Sequence, residues 1–350
     1  MNKINNSLKI VFLVANVNIT SGSYRIWVND YCRYFNAIGV NSKILTLQNT
    51  TEEIIKDTDV LIMGKCLHGD IKSLFDQTKK ANPDILIGTI TPPRDLTSVN
   101  FDFVMVGSLE EADSLSFYDN IILNAHIESL YYNSDIKTHS PVDILKICYH
   151  GWTPHLFSFV GGLKMALEDF SKSRKIELNI LSEKSESEIN WTADLGRPDI
   201  PIVFKKWNIA TVRDDIGQCD IGICPGVHDL TFQLSTINQN HGKFQSDYIM
   251  RYKNKTNNGR ALAFMALGVP VIADFSPSNF HLFGDEKNGY VAHTPMGWLR
   301  SFNRLSDFNI RNKVAKNAKI FLDNNYDPYN WALRYYSSIL EIYQNKQKEK

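Results

Sequence analysis

The chain is 350 residues long and carries 38 basic and 38 acidic side chains, so it has no formal net charge; 43% of it is hydrophobic and 22% charged. That length exceeds one ordinary core and suits two domains, while the balanced charge argues against general nucleic-acid binding. No stretch stays apolar for the ~18 residues that a membrane span needs, so membrane contact would be peripheral.

The start, MNKINNSLKIVFLVAN, holds an apolar run too short for a signal segment, with no small-residue cleavage site after it. A cytoplasmic protein is expected. The five cysteines, Cys32, Cys66, Cys148, Cys219 and Cys224, include no C-x-x-C pair. They read as small buried hydrophobes in a reducing compartment, not as a disulfide framework or zinc site.

Taken in chain order, apolar runs at 10–15, 43–47, 60–64, 85–89, 103–106 and 120–124 predict buried strands. Helix-length polar-apolar patterns at 25–38, 71–80 and 109–117 lie between them, so the order is β-α-β and the sheet parallel. The polar, proline-marked YYNSDIKTHSPV is the linker candidate. A second series follows, with strands at 144–148, 178–181, 202–204, 221–224 and 271–273 and helices at 159–170, 211–217, 259–267 and 296–302.

Within it, NNGRALAFMALGVPVIAD (257–274) predicts a helix that is apolar nearly all round and must therefore be buried. Asn257 or Asn258 suits the N-cap, Gly268 the C-terminal stop, and Pro270 the entry to a strand. The first-turn N–H groups have no intrahelical acceptor, and Lys255 and Arg260 flank them, which makes a candidate diphosphate site. Plain βαβ packing explains the same pattern without a ligand.

These segments resemble the GT-B glycosyltransferases. The family pattern of a helix ending EAMA-x-G-x-PVI and a later G-x-NG loop is matched by AFMALGVPVIAD and FGDEKNGYVA, with Gly268, Pro270, Asn288 and Gly289 in register. Upstream, VRDDIGQCDIGICPG matches a helix, strand and loop through Asp220 and Pro225, and NNYDPYNWALRYYSSILEIY resembles the aromatic C-terminal helix. One departure stands out: where retaining members carry two glutamates eight positions apart, this chain has Lys255 and Ala263.

The resemblance implies an α/β protein with two Rossmann-like domains facing a cleft. Residues 1–138 would form the acceptor side, 139–325 the nucleotide-sugar donor side, and 326–350 a helix crossing back to the first domain. It implies a metal-independent, hexosyltransferase-like enzyme without cofactor that moves a sugar from a nucleotide-sugar donor to a glycan, polysaccharide or glycoconjugate. A phosphosugar or polyol-phosphate transferase of cell-surface polymers, a nucleotide-sugar epimerase, and a catalytically silent GT-B glycan-binding or partner module are the alternatives.

In that frame the leaving phosphate requires fixed positive potential, which Lys255, Arg260 and the helix N-terminus with Asn257 and Asn258 would supply. His150 and Gly151 end the first strand of the second series, where glycine admits a phosphate and His150 would donate to the leaving oxygen. Lys205 and Lys206, ahead of a stacking Trp207, stand at a strand end, though a solvated edge explains them too. In the first domain, Gly22, Ser23 and Arg25 open a helix and would meet a phosphate, or Ser21 or Ser23 serves as a simple cap. If transfer inverts, His68 and Asp70 in KCLHGD are the candidates for proton acceptor, with His126 and Glu128 as rivals.

Overall fold

Every residue of β1 (Ile10–Val14) is buried, as an unbroken apolar run requires in a parallel strand covered on both faces. The computed structural model in which it lies describes residues 8–64, 67, 70–91, 99–124, 128–226 and 258–349. The chain forms two units, Met1–Ser129 with Tyr326–Lys350, and Leu130–Asn325. In the first, β2 (Ser42–Thr46), β3 (Val60–Met63), β4 (Leu86–Ile90), β5 (Phe103–Val106) and β6 (Ile121–Leu123) join β1 in a parallel sheet of order β2-β1-β3-β4-β5-β6. Ile10, Phe12 and Val14 enter one core with Trp27, Tyr31 and Phe35. Val11 and Leu13 enter the opposite core with Ile87 and Val104, as the two-residue period of a strand dictates.

The Pro328–Lys348 helix belongs to this first unit. Asp327 caps it by accepting from Asn330 N–H at 2.8 Å, and Pro328 takes the first position, where no donor is needed. Ala332, Tyr335, Tyr336 and Ile339 form one helical stripe and are buried in the same core as β1. Tyr336 Oη accepts from Leu8 N–H at 3.2 Å, and Lys346 pairs with Asp102 at 2.5 Å. Tyr335 lies edge-on to Tyr31 with ring centres 5.2 Å apart, and its buried hydroxyl has no hydrogen-bond partner among the described residues. Tyr335→Phe is therefore expected to leave stability unchanged or raise it by up to ~1 kcal/mol; a lowered denaturation midpoint would show that the hydroxyl is satisfied.

In the second unit, β7 (Leu145–His150), β8 (Ile176–Ser182), β9 (Ile202–Lys206), β10 (Ile221–Cys224), β11 (Val271–Asp274) and β12 (Tyr290–Ala292) form a parallel sheet of order β12-β11-β10-β7-β8-β9. Two Rossmann-like α/β units with a C-terminal helix returned to the first are thus present, as the sequence implies. The direction of strand addition reverses between β7 and β10, and such a switch point opens a crevice at the carboxyl ends of the strands.

Several elements depart from expectation. β12 falls in NGYVA, which reads as loop because only three residues pair. The helix expected at 159–170 is a 3-10 segment, Thr153–Gly161, then an α-helix, Leu163–Ser173. Gly162, at φ 105°, separates them. The helices Pro277–Phe283 and Phe308–Asn325 were not expected; the second buries small alanines and a charged Arg311, which weakens its apolar signature.

The segment that reads as a linker is fixed to the second unit. Lys137 N–H donates to Leu267 O at 3.1 Å, and its ammonium pairs with Asp220 at 3.1 Å. Arg311, 1% exposed, donates to Leu305 O (2.8 Å), Ser306 O (2.9 Å), Ser140 O (3.2 Å) and His139 Nδ1 (3.3 Å). With Nδ1 accepting, the proton of His139 sits on Nε2, which donates to Gly268 O at 2.9 Å.

Candidate functional site

The second unit's switch point is built by one close packing contact. A Cβ on Gly222, in β10, would lie 2.5 Å from the Phe264 ring, so glycine there lets the Gly259–Ala266 helix settle against the strand. Phe264 also meets the His150 ring edge-on at 4.9 Å. Arg260 precedes Phe264 by four residues and shares its face of the helix, which delivers its guanidinium to the carboxyl end of β7. Its carbon stands 5.6 Å from the centre of the Tyr149 ring.

Gly151, at φ +148°, follows His150, and a Cβ there would lie 3.2 Å from Arg260 Cδ and 3.4 Å from Nη1. A side chain at this position would occupy the approach to the guanidinium. Arg260 Nη1 is buried and makes no hydrogen bond among the described residues. Buried guanidinium donors are normally satisfied, and residues 227–257, just before this helix, lie outside the described residues. Asn258 holds the N-cap position, but its amide donates to Ser278 O at 3.2 Å and no side chain caps the helix. The expected capping by Asn258 is thus not made. Lys255 and Asn257 lie outside the described residues.

His150 is 7% exposed, and its Nε2 is 3.5 Å from Arg260 O. Burial first, and the Arg260 charge second, push its pKa down to about 3. It is therefore a neutral ring at physiological pH, which can donate a hydrogen bond from one ring nitrogen. The unfolded chain takes up a proton here below pH ~6.5 while the folded one does not until about 3. Stability is thus lost as pH falls across that window, at up to ~1.4 kcal/mol per pH unit. His150→Phe should flatten this part of the acid limb in denaturant titrations; an unchanged slope would show that the ring is charged in the fold.

Other expected ligands stand elsewhere. Lys205 and Lys206 lie within β9, the far edge strand, and Lys205 pairs with Asp215 at 2.8 Å. Trp207 follows them there. In the first unit the helix begins at Gly22 and Ser23, after Ser21, which makes no side-chain cap. Arg25 is 7% exposed, donates to Ile19 O at 2.9 Å and Thr20 O at 2.8 Å, and pairs with Glu128. Its side chain thus holds the loop after β1. Burial raises the pKa of Glu128 against the opposing charge of Arg25, with which its carboxylate pairs. Asp70 caps the Ile71–Ala81 helix, accepting from Ser73 N–H at 2.9 Å. His68 and His126 lie outside the described residues.

One group at this edge escaped sequence reasoning. Asp274, at the end of β11, accepts from Gly226 N–H (3.1 Å), Phe275 N–H (2.8 Å) and His293 Nδ1 (2.8 Å). It ties together the loops leaving β10, β11 and β12. An aspartate at a strand's carboxyl end was the available signal, but its histidine partner follows β12, which was read as loop.

No protein-family model matches the chain. No curated protein matches it either. Its fold is that of solved glycosyltransferases. A glycosyltransferase from Rickettsia africae is similar over 99% of this chain and 100% of its own, with TM-score 0.67 and 15% identity. HepE from Anabaena, solved with UDP and glucose, is similar over 95% and 100%, with TM-score 0.61 and 10% identity. The sucrose-phosphate synthase of Thermosynechococcus elongatus is similar over 98% and 100%, with TM-score 0.60 and 10% identity. The GT-B architecture is thereby established for this chain. Among the described residues no helix is long and apolar enough to cross a membrane.

Proposed function

We propose that this protein is a glycosyltransferase whose second unit holds the diphosphate of a nucleotide-sugar donor between Arg260, Gly151 and the N-terminus of the Gly259–Ala266 helix. The observation that carries the reading is the buried Nη1 of Arg260 at the switch point, which makes no hydrogen bond among the described residues. Sugar transfer breaks the bond between the anomeric carbon and the diphosphate, and negative charge develops on the departing oxygen. A guanidinium fixed in advance on Tyr149, where no solvent need reorganise, stabilises that charge. The helix N-terminus adds its partial positive charge, and Lys255 and Asn257 would extend the same grip. Donors carrying UDP are favoured because HepE and the trehalose-6-phosphate structure from E. coli were solved with UDP-based ligands. The acceptor is a glycan or glycoconjugate, and His68 or Asp70 is the proposed proton acceptor if the transfer inverts.

The test is release of free nucleotide from a panel of UDP-, GDP-, CMP- and dTDP-sugars, with and without a carbohydrate acceptor. Turnover of one donor is expected. If none is turned over and none raises the melting temperature, the enzyme reading fails in favour of a silent binding module. Because fixed cationic groups take the role of a metal ion in this reading, turnover should survive EDTA; loss restored by added magnesium would contradict it.

A further inference from the structure

The residue after Gly151 is Trp152, and its indole is 60% exposed, whereas Trp27, Trp191 and Trp298 are at most 5% exposed. Its carbonyl and the N–H groups on either side of it are nevertheless hydrogen-bonded. The carbonyl of Trp152 accepts from Tyr149 Oη–H at 2.9 Å and from His155 N–H at 3.0 Å. Gly151 N–H donates to Leu181 O at 3.0 Å, and Thr153 N–H donates to the Glu183 carboxylate at 3.1 Å. The ring meets His155 at 5.5 Å and 87°. A large aromatic side chain thus stands in solvent on a pinned segment, one residue from the glycine that opens the way to Arg260. Exposed aromatic surface anchored beside a cationic anion site is the pairing that a ligand with an anionic portion and a flat portion needs.

Resting on the nucleotide-sugar reading, we propose that Trp152 is the stacking residue of this site, taking a flat face of the ligand against its indole. The face is either the nucleobase or the C–H face of the sugar ring. This places stacking at the switch point, just after β7, and not on Trp207 beyond the edge strand β9.

The test is calorimetric titration of wild type, Trp152→Ala and Trp152→Phe with UDP and with UDP-glucose. Trp152→Ala should weaken binding by about tenfold or more, with Phe recovering most of it. Equal loss for both probes assigns the base; loss for UDP-glucose alone assigns the sugar ring. Because the indole is exposed, the melting temperature of the ligand-free variants should stay close to that of wild type, which separates contact from misfolding. Wild type that binds while Trp152→Ala binds both probes equally well overturns the stacking role alone. Wild type that binds neither probe overturns the nucleotide-sugar reading and the stacking role with it.

Discussion

Arg260→Ala is expected to lower sugar transfer by about a hundredfold or more while leaving the protein folded. Three observations set that magnitude. The guanidinium is held on the Tyr149 ring, one of its nitrogens is buried without a hydrogen bond among the described residues, and Gly151 leaves its approach uncovered. A donor fixed in advance at a developing negative charge typically contributes ~3–4 kcal/mol to a transition state. Its removal should cost little stability, because no protein hydrogen bond among the described residues depends on that nitrogen. Arg260→Lys should recover only part of the activity, since an ammonium lacks the planar fork that matches phosphate oxygens. Steady-state rates with the donor found in the panel check this, and near-normal turnover in Arg260→Ala would mean that the phosphate lies elsewhere.

The largest stability effect is expected at Arg311. Arg311→Met should destabilise the second unit by about 3 kcal/mol or more, read as a lower urea midpoint. Leu305 O and Ser306 O end the Pro295–Leu305 helix, and Ser140 O belongs to the segment entering β7; all three accept from this one guanidinium. Methionine fills most of the volume but leaves the carbonyls unbonded. His139 would also lose the donor that fixes its ring proton on Nε2, loosening its bond to Gly268 O. Asp220 stands beside the same ring, 3.6 Å from Nδ1. Burial acts to raise its pKa, but the Lys146 N–H and Lys137 outweigh burial and bring it down to about 2. This carboxylate stabilises the fold above the unfolded pKa of ~3.9, and that contribution, ~2 kcal/mol, is lost as pH falls towards 2. A midpoint shift under ~1 kcal/mol in Arg311→Met would show that water replaces the guanidinium.

The strands were legible because parallel strands in this fold are buried on both faces: IVFLV, VLIM and IGIC announce themselves as unbroken apolar runs. The Gly259–Ala266 helix was legible for a related reason, since its small and apolar residues had to be buried and Gly268 had to end it. What sequence could not give was the use of each polar residue. Arg25, Arg260 and Arg311 are alike in a sequence. Only packing separates the first, which holds a loop, from the last, which closes a helix end, and from Arg260, one nitrogen of which makes no hydrogen bond among the described residues. Glu128 was read as an acid-base group from position alone, yet it pairs with the buried Arg25. Trp152 went unremarked because exposure, not identity, distinguishes it from the buried tryptophans.

The central claim is that a nucleoside diphosphate binds at Arg260, and thermal unfolding with and without UDP tests it most directly. At ~100 times the dissociation constant, UDP should add ~2.7 kcal/mol to wild-type stability and raise the melting temperature. Arg260→Ala should show little or no rise at the same concentration. An equal rise in both proteins would contradict the assignment of the site.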